Sequence, residues 1–375
     1  MHELVKEFTE RQEEMVSFLA HLVELESPSV DKAAVDRLGD FLACRLERAG
    51  FHVRVVGQKE HGNHIVATWQ QEEPSLLMLC HMDTVWPVGE VKRRPFRVEG
   101  NRAYGPGVFD MKGGIVQAIF ALEAARRRGL CSSTVKILFN SDEEIGSPSS
   151  RSLIEDLARS AKAVLVLEPS VPPHGALKTF RKGVGMFRIK VVGRAAHAGA
   201  DPDKGVNAIE ELARQIIKLH RLTDPETGTT VNVGVVRGGS RSNVVPAEAW
   251  AEVDLRVSSK AEAERVIPHI KGLLPELPGA TVEVEGGLNR PPMERTESIV
   301  ALFRHAQRVA RELGFELEEA GSGGASDGNF TAALGVPTLD GLGAVGAGGH
   351  AVDEYLLLNF MPERTALLTR LLETL

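Results

Sequence analysis

Apolar positions along the chain recur first with the period of a helix and then in short unbroken runs. Residues 3 to 25, ELVKEFTERQEEMVSFLAHLVEL, and residues 32 to 50 space their apolar side chains three and four apart, which predicts two amphipathic helices, the second closed by Gly50. FHVRVV, HIVATW and SLLMLC then read as strands, MKGGIVQAIFALEAARRR as a helix, TVKILFN as a strand, SSRSLIEDLARS as a helix and AVLVLEP as a strand. SLLMLC, VKILFN and AVLVL are continuously apolar, the pattern of strands covered by helices on both faces. The expected core is therefore an α/β domain with a central, mostly parallel sheet. In such sheets functional residues gather past the carboxyl ends of the strands. Each of these three runs ends in acids or histidine: HMD, NSDEE and LEP.

The pattern changes near Gly183. From there the chain reads strand (VGMFRIKVVG), helix (VNAIEELARQIIKLHRL), strand (TTVNVGVVRGG), strand (AEAWAEVDLRV), helix (AEAERVIPHIKGLL) and strand (TVEVEG). That βαββαβ order predicts a ferredoxin-like α+β unit able to stand as its own domain. GGLNRPP, from Gly286 to Pro292, reads as an exit linker, after which a helix, a strand (VPTLDGL) and a terminal helix resume the earlier style. The expectation is a discontinuous domain of residues 1–181 and 288–375, with residues 182–287 inserted into it.

Composition narrows the function. The chain has 375 residues, 43% hydrophobic and 25% charged, with a net charge of -7, which argues against nucleic acid or an anionic membrane as partner and leaves a small molecule or peptide. Cys44, Cys80 and Cys131 are odd in number and lack CxxC spacing, so they read as buried thiols in a reducing compartment. The opening residues lack a basic end, an apolar core and a small-residue cleavage site, and no apolar run approaches the roughly 20 residues that span a bilayer. The resulting expectation is a cytoplasmic protein.

The candidate chemistry is His81 and Asp83 in CHMD, Asp110 in GPGVFDMKGG, Glu143 and Glu144 in NSDEEIGS, Glu168 in VLEPS and His350 in GAGGHAVDE. Zinc takes imidazole and carboxylate ligands, and catalytic sites keep a position open. A lone histidine at a strand end is more often structural, and DEE is more often a solvated turn. A solvated turn does not explain why three apolar strands carry acids at the same end, nor the glycines flanking Asp110 and His350, which allow close backbone approach. Two histidines and three carboxylates suffice for two ions if one carboxylate bridges.

HMDTV, YGPGVFDMKGG, NSDEEIGS, LEPS, RAAHAGADPDKGVNAI, NVVPAEAWAEVDLR and the region from GASDGN to GGHAVDE resemble, in order and over nearly the whole chain, the dizinc family of glutamate carboxypeptidase, acetylornithine deacetylase, succinyl-diaminopimelate desuccinylase and aminoacylase. The YGPGVFDMKGG and EPS wording is closest to the glutamate carboxypeptidase group. The resemblance implies a zinc-aminopeptidase-like catalytic domain holding two zinc ions, for which cobalt can substitute. Asp110 would bridge them, His81 and Glu168 would complete one site, and Glu144 and His350 the other. Glu143 would be the general base, and Asp83 would orient His81 as an outer carboxylate does. The bond from Asp110 to Met111 would be a cis peptide. The inserted domain would dimerise two chains and act as a lid, with His197 of RAAHAG steadying the oxyanion in the other subunit's site. Asn243 and Arg256 would hold the substrate's α-carboxylate, a task for which a guanidinium is suited by its bidentate geometry. Gly323, Gly324, Ser326 and Asp327 fall on a substrate-side loop without individual roles.

The implied reaction is release of a C-terminal amino acid, glutamate by the closest wording, from a peptidyl or N-acyl amide. The alternative is an N-acyl-amino-acid deacylase of the acetylornithine deacetylase or aminoacylase type. Lys178, Arg181 and Lys182 in LKTFRKG could read an acidic side chain or form a solvated hinge. Two other readings are weaker. GLGAVG, from Gly341 to Gly346, matches the GxGxxG of dinucleotide enzymes but runs into AGGH instead of opening a helix. A catalytically dead binding protein would not need the full set of ligands and base.

Overall fold

The computed structural model describes residues 2–70, 72–129, 131 and 133–375. The chain divides into two compact units: Met1–Phe180 with Arg295–Gly321 and Ser326–Leu375, and Arg181–Glu294 with Ser322–Ala325.

The first unit is built on a six-stranded sheet. Its spatial order is His52–Val56, His64–Trp69, Thr134–Asn140, Ser75–His81, Ala161–Val166 and Thr338–Leu339. The first two pairings are antiparallel and the remaining three parallel. Ser75–His81 is buried along its whole length, and its alternating side chains serve two cores. Leu76, Met78 and Cys80 join the larger cluster, with Ile115, Ile119 and Phe120 of the helix Gly113–Arg128. Leu77 and Leu79 face the smaller one, with Ile154 and Ala158 of the helix Arg151–Arg159. A leucine-to-alanine change on either face would cost about 2–5 kcal/mol.

The helical expectations hold with one exception. Lys32–Arg48 is capped by Asp31, whose side chain accepts from Ala34 N at 3.0 Å, and is closed by Gly50 at φ +79°, with Phe51 N donating to Leu46 O at 3.0 Å. The single helix expected over 3–25 is instead two, Glu3–Glu10 and Gln12–Glu24, broken at Arg11. Arg11 leaves helical geometry at ψ 7° and folds its guanidinium onto Glu14 at 2.9 Å. Cysteine burial also differs from expectation: Cys80 and Cys131 are buried, but Cys44 is exposed on the outer side of its helix.

The second unit is a four-stranded antiparallel sheet in the order Thr230–Gly238, Glu248–Val257, Gly183–Val192, Thr281–Arg290, with helices Ala208–His220 and Lys260–Lys271 packed on one face. This is the ferredoxin-like arrangement that βαββαβ predicts. Phe187, Ile189 and Val191 point into its core, whereas Met186, Arg188 and Lys190 are exposed. The GGLNR segment read as an exit linker is strand, paired with Gly183–Val192 with a register shift between Leu288 and Arg290. Gly286 sits at φ +102°, where a Cβ would lie 2.2 Å from Met186 O. Close backbone approach, not flexibility, calls for glycine there.

Candidate metal centre

Because Ser75–His81, Thr134–Asn140 and Ala161–Val166 are parallel neighbours, their carboxyl ends reach the same edge of the sheet. His81 is the last residue of its strand and pairs in register with Asn140, and Leu79 pairs with Val166. The segments that follow carry Asp83, Glu143 with Glu144, and Glu168 to one place. Asp110 comes from the loop before Gly113–Arg128, where the backbone leaves helical geometry and the Asp110–Met111 bond is cis, as the resemblance implies. His350 arrives from a glycine loop and is itself left-handed at φ +65°.

These side chains form two lobes about Asp110. His81 Nε2 lies 3.1 Å from Asp110 Oδ1 and 3.5 Å from Glu168 Oε1. His350 Nε2 lies 3.3 Å from Asp110 Oδ2 and 3.0 Å from Glu144 Oε2. Ligand atoms of His81, Asp110 and Glu144 fall within 4.8 Å of one another, as do those of His81, Glu143 and Glu168, so the arrangement is a candidate metal site. The lobes differ in exposure: the side chain of His81 is 2% accessible and that of His350 is 53%.

His81 Nδ1 faces the main-chain oxygen of Asp83 at 2.9 Å, with the carboxylate Oδ1 at 3.5 Å. A carbonyl can only accept, so Nδ1 carries the proton and Nε2 is turned toward Asp110 and Glu168. The Asp83 carboxylate also does more than orient His81. It accepts from Glu143 N and Glu144 N, both at 3.1 Å, and from Ser29 Oγ at 2.7 Å, tying the two glutamates to the same buried acid.

Charge is concentrated here. Burial lowers the pKa of His81, but hydrogen bonds to Asp110 and Asp83 and the nearby Glu168 outweigh it and hold the imidazole well above its ordinary value. His350, bonded to Asp110 and Glu144, is pushed up to about 10. Asp110 is lowered by the two imidazoles against the opposing effect of burial, whereas Glu144 is raised, chiefly by burial. The acids of this site favour positive charge between them.

Two groups that sequence reasoning left without a role brace the centre. Asp327 is buried and accepts from Asn140 Nδ2 at 2.7 Å and Ser147 Oγ at 2.5 Å, clasping both ends of the segment that carries Glu143 and Glu144, and Ser326 Oγ donates to Asp340 at 2.5 Å. Glu354 accepts from four donors around the Asp110 loop. Its place in GGHAVDE was visible, but its partners are about 250 residues away along the chain and leave no local signal.

The remaining predicted residues belong to the second unit. His197 and Asn243 are exposed and adjacent: Ala198 N donates to Asn243 O at 3.0 Å. His197 Nδ1 accepts from Gly199 N at 3.2 Å and Ala200 N at 3.0 Å, which leaves Nε2 as the outward N–H donor. Arg256 makes a bidentate pair with Asp254, Nε at 2.8 Å and Nη2 at 3.0 Å. In the same unit Arg181 is buried and donates to Gly324 O at 3.1 Å, and Lys182 Nζ donates to Gly228 O at 2.5 Å. Lys178, in the first unit, is buried and pairs its backbone with Asp340. Lys178 and Arg181 are therefore not solvated, and Lys182 is half-buried. GLGAVG opens no helix.

Comparison with known proteins accords with this geometry. The model of peptidase family M20/M25/M40 matches residues 77–374. Carboxypeptidase G2 of Pseudomonas sp. (strain RS-16) is 31% identical over 97% of this chain and 90% of its own. A succinyl-diaminopimelate desuccinylase of Stenotrophomonas maltophilia is 27% identical over 96% of this chain and 99% of its own. Among solved structures, aminopeptidase PepT of Bacillus cereus superposes with a TM-score of 0.79 at 22% identity, covering 96% of this chain and 98% of that one. The protein is thus a hydrolase of the metallo-carboxypeptidase and amidohydrolase class. It belongs to peptidase family M20/M25/M40.

Proposed function

We propose that the chain is a dinuclear zinc enzyme that hydrolyses a peptidyl or N-acyl amide to release a C-terminal amino acid, glutamate in the reading closest to its sequence. The observation that carries this is the division of Asp110 between two lobes, together with the buried Glu144 Oε1, which has no hydrogen-bond partner among the described residues. A buried carboxylate oxygen left without a donor is costly unless a cation completes it. Asp110, His81 and Glu168 would hold one ion, and Asp110, Glu144 and His350 the other. Bound there, zinc or a substituting cobalt would act as a Lewis acid toward the scissile carbonyl and bring a water's pKa near neutrality.

The chain's own residues do the rest. Glu143, fixed through its amide to Asp83 and within reach of the His81 lobe, takes a proton from the attacking water and returns it to the leaving amine. The inserted domain, residues 182–287 with the strand's continuation to Arg290, acts as a dimerisation and lid domain, and a homodimer brings His197 Nε2–H against the oxyanion formed in the other subunit. Arg256 and Asn243 anchor the free α-carboxylate. Asp254 occupies the N–H on Nε and one on Nη2, and Gly323 O accepts from Nη1 at 3.5 Å, so one N–H on each of Nη1 and Nη2 remains for substrate. A cytoplasmic location suits three cysteines that are all free. Among the described residues, no helix is long and apolar enough to cross a membrane.

The test is a comparison of kcat/KM for N-acyl-glutamate, N-acyl-alanine, N-acetylornithine and an N-acyl-glutamate α-amide, with zinc or cobalt supplied. Hydrolysis of the free acids and failure of the amide are expected. Equal rates on free and amidated termini would overturn the carboxylate anchor. Preference for alanine or ornithine would replace glutamate release by the deacylase reading.

A further inference from the structure

Glu354 is 1% exposed and lies at the end of the loop that presents His350. Its Oε1 accepts from Phe109 N at 2.9 Å and Asp110 N at 3.0 Å, and its Oε2 from Gly107 N at 2.9 Å and Trp86 Nε1 at 3.1 Å. Four N–H donors converge on two oxygens, which only an ionised carboxylate satisfies fully. Gly107 is left-handed at φ +73°, and a Cβ there would lie 2.8 Å from Thr84 Cγ2, so the loop can wrap the carboxylate only with glycine at this point. On the other side, Glu354 N donates to Ala351 O at 3.1 Å, holding the turn that follows His350. One buried anion therefore joins the loop of Asp110 to the loop of His350.

The His81 lobe is supported differently. His81 closes a fully buried strand, and Leu167 N, beside Glu168, donates to Leu79 O at 3.0 Å. Those bonds belong to the sheet and do not pass through Glu354.

We infer that Glu354 is a positioning residue that acts unequally on the two ions of the dinuclear site: the ion of Glu144 and His350 depends on it at two ligands, Asp110 and His350, whereas the ion of His81 and Glu168 depends on it only at the shared Asp110 and otherwise on the sheet. The inference rests on the dinuclear reading above. Outer groups of this kind typically contribute about 10–100-fold to metal affinity. Glu354→Gln keeps the shape but turns an N–H₂ toward donors, and Glu354→Asp keeps the charge on a shorter arm.

The experiment is calorimetric titration of the metal-stripped chain with zinc chloride, and cobalt chloride titration read by visible absorption, for wild type and both variants, with thermal unfolding to establish folding. Glu354→Gln is expected to lose at least about tenfold in affinity for one ion and several-fold less for the other, which shares only Asp110, with Glu354→Asp intermediate and weighted to the same ion. Equal affinities in folded Glu354→Gln and wild type would overturn the inference, and so would a parallel loss at both ions, which general loosening of the fold would produce. Should Glu354→Gln fail to unfold cooperatively, the same two criteria apply to Glu354→Asp. A wild-type chain that binds fewer than two ions would instead sink the dinuclear reading itself.

Discussion

Each unit holds candidate residues at the ends or on the faces of strands, yet the two sets are held in different ways. In the first unit the groups around Asp110 stand on buried acids with several donors each: Asp83 on two amides and a hydroxyl, Asp327 on an amide and a hydroxyl, Glu354 on three amides and an indole. In the second unit His197 and Asn243 are exposed, and Arg256 spends two bonds on Asp254, two residues away on its own strand. A centre that must hold charge at fixed spacing needs a rigid frame. Groups that meet a substrate only when it arrives need reach and free donors instead. Substitutions in the first unit should therefore act through geometry and metal, and those in the second through the ligand alone.

The sharpest break in that comparison is Glu143→Ala, which removes a proton carrier and leaves the proposed ligands in place. Turnover should fall roughly 10²–10⁴-fold or more, with both ions retained by elemental analysis; loss of metal would mean that Glu143 and Glu144 have exchanged roles. Arg256→Ala should lower kcat/KM by about 2–4 kcal/mol in transition-state binding, with metal content and unfolding temperature unchanged. An effect below about tenfold would show that Asp254 keeps the guanidinium to itself. Asp83→Asn should weaken metal binding or activity by about 10–100-fold, because its amide nitrogen would face either the Glu143 or the Glu144 amide, which donate to different Asp83 oxygens; wild-type metal affinity together with wild-type activity would refute the bracing role. The smallest signal is a recovery. His197→Ala and Glu143→Ala, each nearly inactive alone, should regain about a quarter of wild-type activity when refolded together, since random pairing gives one intact site in half of the dimers. No recovery despite proven subunit mixing would remove His197 from the partner's site.

The fold was legible wherever a side-chain pattern reports burial. Continuous apolar runs marked the strands of the parallel sheet, and alternation marked the second unit. Patterns failed where backbone geometry decides. GGLNR carries the composition of a linker, yet Gly286 is selected by a carbonyl 2.2 Å from where its Cβ would stand. Arg11 breaks a helix whose apolar period continues across it. The small sheet of Arg97–Glu99, Arg102–Tyr104, Gly346–Ala347 and Tyr355–Leu357 is made of segments too short to leave a period. In the same way, the acids and histidines around Asp110 were readable because each follows a strand or a glycine loop. Asp327 and Glu354 were not, because what distinguishes them is a set of amide donors contributed from distant sequence, and every residue except proline has an amide to offer.

The bond from Trp86 to Glu354 also makes the loop optically visible. The chain has three tryptophans, Trp69, Trp86 and Trp250. Trp86 alone gives its indole N–H to the carboxylate that shapes the Asp110 loop, at 3.1 Å, with the Arg94 guanidinium 4.0 Å above its ring. Indole emission responds to charge and hydrogen bonding at the ring, so Trp86 is an intrinsic gauge of that loop. With Trp69 and Trp250 replaced by phenylalanine, its fluorescence would report rearrangement there in real time, without dye or substrate.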